Sequence, residues 1–205
     1  VGLADAAAHR YRVTLVLPAP AAEQGLSLPV WIPGSYMVRE FGRHLIRLQA
    51  RQGRNEVTLD QVDKTTWLAR CSGRAALTVS YEVYAFDTSV RTAFLDDSRG
   101  FFNPTSLCLR VHGREAEPHE LQFTELPAGW EVATAMPPAE RQRNAFVSAD
   151  YHELVDHPFE LGRFWRGRFD AGGVPHEFVV SGTWPGFDGE RLLADHIHIC
   201  PPAHH

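Results

Sequence analysis

The chain has 205 residues, 44 % hydrophobic and 22 % charged, with a net charge of −5. That balance suits a globular protein able to bury a substantial core, and gives no electrostatic reason to expect nucleic acid or an anionic membrane as partner. No apolar run approaches the roughly 20 residues that span a bilayer, no signal-peptide h-region opens the chain, and the widely spaced Cys71, Cys108 and Cys200 point to free thiols in a cytoplasmic, reducing compartment.

Taken in chain order, Tyr11, Val13, Leu15 and Leu17 alternate with polar residues and predict a strand with one buried face. The segment from Trp31 to His44 packs an aromatic, a Pro-Gly turn, a Ser-Tyr pair and several charges into one stretch. A plain connection needs none of this, and loops that hold a specified shape are where function tends to sit. Within it a short helical turn is expected from Tyr36 to about Phe41, followed by a strand into the turn at Gly53. Strands are expected again at Leu77–Ala85 and Leu107–Val111, and a hairpin near 161–169 and 176–183 around Ala171-Gly172-Gly173. Asp150-Tyr-His-Glu153 reads as a capping box that opens a short helix before Pro158, and Asp188 to about Ile199 as a last helix. The fold class is therefore mainly β: an antiparallel β-sandwich or broad sheet with one or two short helices and a C-terminal helix.

Catalytic machinery is not visible. Three His-Glu pairs, at His119, His152 and His176, have Phe123, Asp156 and Val180 where a zinc-binding helix needs a second histidine four residues on. His196 and His198 lack an evident third ligand, and no Gly-x-Ser-x-Gly elbow or Gly-rich phosphate loop occurs. We therefore assign no catalytic and no metal-binding residue. Asp96, Asp97 and Arg99 form either a site for a charged ligand end or an internally paired turn. The five tryptophans are either core residues or a stacking platform for sugars.

Several blocks in series resemble the N-terminal domain of glycyl-aminopeptidase-type zinc metallopeptidases, the sixty-first metallopeptidase family of the gluzincin group. They are Val30-Trp-Ile-Pro-Gly-Ser-Tyr-Met-Val-Arg-Glu-Phe41, Asp63-Lys-Thr-Thr-Trp67, Tyr81-Glu-Val-Tyr-Ala85 with Asp87 and Ser89-Val-Arg91, Leu95 to Asn103, Trp130 to Thr134, and Asp150 to Glu160. The resemblance implies a saddle-like β domain over residues 1–187, with 188–205 starting a linker or helix toward a thermolysin-like catalytic domain. In that family the zinc ligands and the general base lie downstream, so zinc would belong to the parent enzyme and no cofactor to this chain. The implied partners are that catalytic domain and the amino terminus of a peptide substrate. By motif position, Tyr36, Arg39, Asp96, Asp97, Arg99 and Glu160 are the implied cleft residues, where an acid would pair with a substrate ammonium. A free-standing β-sandwich module for carbohydrate or a protein partner is the alternative reading.

Overall fold

A computed structural model describes residues 1–32, 34–35, 37–140, 142–182 and 185–199. The first strands are β1 (Gly2–Asp5), β2 (Arg10–Leu17), β3 (Glu23–Ser27), β4 (Leu45–Gln52), β5 (Asn55–Val57) and β6 (Leu59–Gln61). β7 (Thr66–Arg70), β8 (Leu77–Tyr84), β9 (Ala93–Leu95), β10 (Arg99–Phe102), β11 (Arg110–Val111) and β12 (His119–Gln122) come next. The chain continues through β13 (Glu131–Ala133), β14 (Ala145–Ser148), helix α1 (Tyr151–Asp156), β15 (Phe159–Gly162), β16 (Phe164–Ala171), β17 (Val174–Ser181) and helix α2 (Gly189–Ile199).

The architecture is mainly β, and the described residues form no closed barrel. Its largest sheet runs β1-β2-β8-β4-β5, and two four-stranded sheets run β13-β15-β10-β9 and β11-β3-β7-β6. All pairings are antiparallel, with Val13 opposite Tyr81 at the centre of the largest sheet. The expected alternation is present: Tyr11, Val13 and Leu17 on β2 and Leu77, Val79, Tyr81 and Val83 on β8 are buried. They share one core with Leu95, Phe102, Phe159 and Leu161 from the β13-β15-β10-β9 sheet and Leu26 and Trp67 from the β11-β3-β7-β6 sheet. Phe159 stands at its aromatic centre, with ring centroids 5.2, 5.4 and 5.6 Å from Phe102, Phe123 and Phe146.

Buried tyrosines tie these layers together. Tyr11 donates to the Phe94 carbonyl at 2.9 Å, Tyr81 to that of Leu107 at 2.6 Å, and Tyr151 to that of Cys108 at 2.8 Å. Burial raises all three phenol pKa values, so the hydroxyls remain donors. These bonds explain one departure from the sequence expectation. The strand foreseen over Leu107–Val111 shrinks to Arg110–Val111, because residues 107–109 pair with distant hydroxyls instead of a neighbouring strand. The Leu107 and Cys108 amides turn back to the Pro104 carbonyl as well.

A second departure lies in the Trp31–His44 segment. Of the helical turn foreseen from Tyr36 to Phe41, Tyr36 lies outside the described residues and 37–40 are not helical; the turn present is a 3-10 turn over Phe41–His44. Arg39 donates its amide to the Val30 carbonyl at 2.6 Å, a partner too far back in the chain for helical pairing. The capping-box helix occurs as expected: Glu153 donates its amide to Asp150 Oδ1 at 2.8 Å, and the Ala149 amide donates to Glu153 Oε2 at 2.5 Å. The hairpin and last helix are β16–β17 and α2. No helix among the described residues is long and apolar enough to cross a membrane.

Candidate functional site

Among its described residues, the Trp31–His44 segment is pinned at two places and exposed at several between them. Ile32 and Phe41 are buried, whereas Met37 and Val38 are 66 % and 71 % exposed and Trp31 is exposed as well. Its brace is the Asp63–Trp67 block. Asp63 accepts from the Thr65 amide at 2.8 Å, and those bonds hold its carboxyl below the usual range. The Thr65 carbonyl in turn receives the Leu28 amide at 2.9 Å, and Lys64 Nζ bonds Glu40 at 2.8 Å. Gly42 lies so close beneath this block that a Cβ there would sit 2.6 Å from the Lys64 carbonyl oxygen. Two of the sequence blocks that carry the family resemblance are thus one structural unit.

A third block faces them. The turn after β8 is held by Asp87, whose carboxylate accepts the Ser89 amide at 2.8 Å, and by Thr92, which donates to the Ser89 carbonyl at 3.1 Å. Between this turn and the signature segment lies an open depression of about 490 Å³ whose floor includes Phe41, Val83 and Phe94. An adjoining one of about 630 Å³ is edged by Met37, Arg39, Glu40 and Ser89. Both share Arg43, His44 and Asp87. Burial, then Arg43, lowers the His44 pKa against the pull of Asp87, favouring a neutral imidazole.

Aromatic rings extend this face along the sheet. His44 and Tyr84 lie 6.2 Å apart, His9 stacks on Phe86 at 3.8 Å, and Phe86 stacks on Phe94 at 5.6 Å. Arg99 then covers the Phe94 ring at 4.5 Å and pairs with Glu160 at 3.5 Å, while Ser181 donates to Glu160 at 2.5 Å. Asp96 closes the β9–β10 hairpin. Its Oδ1 accepts from Ser98 Oγ and from the Ser98 and Arg99 amides at 2.7, 2.8 and 2.9 Å. Burial pulls its carboxyl pKa upward, but those donors prevail and hold it below the usual value.

Of the residues singled out from the sequence, Asp96, Arg99 and Glu160 are thus neighbours, with Asp97 exposed on the same turn. Arg39 is at the other end of the face, and its side chain bonds the Met37 carbonyl of its own segment. Tyr36 lies outside the described residues, as do Trp184, Cys200 and the terminal histidines. Sequence reasoning passed over His9, Tyr84 and Phe86. Tyr84 and Phe86 carried a readable signal, since both are large aromatics on the polar face of an alternating strand and its extension. It also passed over Glu82, buried on that outer face among Arg10 at 3.0 Å, Arg47 at 3.0 Å and Arg12 at 3.8 Å. Among the described residues no group of three or more His, Cys, Asp or Glu side chains is placed to hold a metal ion. His157 and His196 instead bond backbone carbonyls within their own helical segments.

The structure is thus a mainly β domain with an exposed, braced signature segment. Residues 1–163 match the family model of the Peptidase M61 N-terminal domain, and the chain belongs to that family. It is similar to the crystal structure of an aminopeptidase N family protein from Idiomarina loihiensis, with a TM-score of 0.91 and 40 % identity. That similarity covers 97 % of this chain and 34 % of the other, so the chain spans about one third of that protein. A comparison with curated proteins finds no match.

Proposed function

We propose that this domain is the non-catalytic N-terminal part of a zinc-dependent aminopeptidase. In that role it forms one wall of the peptide cleft and supports a thermolysin-like catalytic domain. The observation that carries the reading is the family match, which coincides with an exposed apolar face on the very segment that carries the family signature. On that segment Trp31, Met37 and Val38 are more than half exposed, as are Phe86 and Val90 on and beside the turn that faces it, and exposed apolar side chains of that kind suit a contact surface. The charged residues Arg39, Glu40, Arg43 and Asp87 around it suit a rim. In this reading the metal and the hydrolytic step belong to the rest of the polypeptide. Free Cys71 and Cys108 suit a cytoplasmic location.

Two measurements test this. The purified 205-residue chain is expected to bind no stoichiometric zinc and to hydrolyse neither glycyl nor alanyl peptides; turnover by this chain that a chelator abolishes overturns the proposal. In the longer natural polypeptide, Val38→Asp is expected to lower kcat/KM by about tenfold or more through loss of domain packing. Unchanged kinetics would remove the signature face from the interface.

A further inference from the structure

The family model ends at residue 163, one residue before β16 begins. Packing changes at the same place. Up to Leu161 the chain supplies a continuous set of buried apolar side chains, whereas beyond it the only buried residues among those described are Gly162, Gly167 and Gly189. The aromatic side chains that follow are large but only half-buried. Trp165 meets Phe178 and Phe187 at 6.5 and 5.7 Å, and Phe178 meets His196 of α2 at 4.4 Å. They cluster on the face of the hairpin that α2 covers. The hairpin itself is a separate two-stranded sheet of eight-residue strands, and among the described residues neither strand pairs with a third. A two-stranded ribbon with one helix is marginal on its own.

The two outer edges differ. β16 is turned toward the body: Arg166 bonds Glu131 at 3.2 Å and the Val132 carbonyl at 3.4 Å. β17 presents Phe178-Val179-Val180 with no lysine or arginine along its length, and its one proline is near the start, at Pro175. Natural proteins seldom leave such an edge open. The solved relative is about three times as long as the part this chain matches, so chain for a further strand is at hand.

We infer that residues 164–199 are the first hairpin and helix of the next domain, and that the free edge of β17 pairs with a strand from the polypeptide that follows. This rests on the reading above, that the chain is the front part of a larger enzyme. It moves the domain boundary from about residue 187 to about residue 163.

The test is amide hydrogen exchange on the 205-residue chain and on the longer polypeptide encoded by the same gene. Exchange over residues 174–181 is expected to slow by about tenfold or more in the longer protein, with β2 and β8 unchanged. A longer protein in which these amides exchange as fast as in the short chain overturns this inference alone. A reading frame that stops near residue 205 overturns both it and the proposed function.

Discussion

Residues 1–162 and residues 164–199 use the same antiparallel vocabulary, yet only the first set closes on itself. In the body, three sheets send their apolar faces into one core, and tyrosine hydroxyls satisfy the backbone groups that no strand reaches. In the terminal unit, one hairpin and one helix share a layer of half-buried aromatics, and among the described residues no third strand pairs with the hairpin. Alternation of side chains sets which face of a strand is apolar. Only enough surrounding strands decide whether that face becomes interior.

Matched deletions probe this contrast most directly, beginning in the body. Phe159→Ala removes the ring that three other phenylalanines touch, at a cost of about 3–5 kcal/mol, which lowers the thermal midpoint by about 10 °C or more. Circular dichroism melting reads this. A midpoint close to wild type would mean that the body is no more tightly built than the terminal unit. Gly42→Ala is expected to cost less, about 1–3 kcal/mol, because the Phe41–His44 turn must lift from the Lys64 carbonyl. Its particular mark is faster amide exchange at Arg39, whose bond to Val30 depends on that seat. Normal Arg39 protection in the variant would separate the signature segment from its brace.

The limits of sequence reading follow from the same contrast. β2 and β8 were legible because a strand with one buried face writes a period of two into the chain, and α1 because its cap sits within four residues of its start. The 107–109 stretch was not, since its partners are hydroxyls 26 to 43 positions away in sequence. Glu82 looked like any outward polar residue; only the register that sets β2 and β4 on either side of β8 brings three arginines to it. Arg47 reaches it from a bulge at φ 56°, a backbone state no periodicity announces. In the candidate site, the Arg99–Glu160 pair likewise needed the β10–β15 register, which sets Phe101 opposite Glu160. The grouping of Asp96 with Arg99 was local and could be read.

A smaller effect is expected from pH, again within the body. His112 bonds Ser27 Oγ at 2.8 Å at the β3–β11 edge; burial first, then Arg110, lowers its pKa from 6.5, against the opposing pull of Glu115 and Asp63. The unfolded chain therefore takes up its proton at higher pH than the folded one does. The resulting stability is fully present above 6.5 and is lost as pH falls through the folded value. His112→Gln should flatten denaturant midpoints measured from about pH 7 to about pH 5, leaving the share that His44, lowered in the same direction, contributes. An unchanged slope would remove His112 as its source.

The smallest change in the global midpoint is expected from a large truncation in the other region. Trp165→Ala deletes the side chain against which Gly189, at the start of α2, is packed so closely that no Cβ could fit between them. If the terminal unit is an annex whose proper neighbours lie in another domain, the body does not register the loss. The thermal midpoint then stays near wild type, while amide protection over 164–199 collapses. Phe159 and Trp165 are comparable in size, so unequal outcomes locate the difference in their surroundings. A joint fall in the midpoint and in α2 protection would instead make the two regions one cooperative structure, with the hairpin as its last layer.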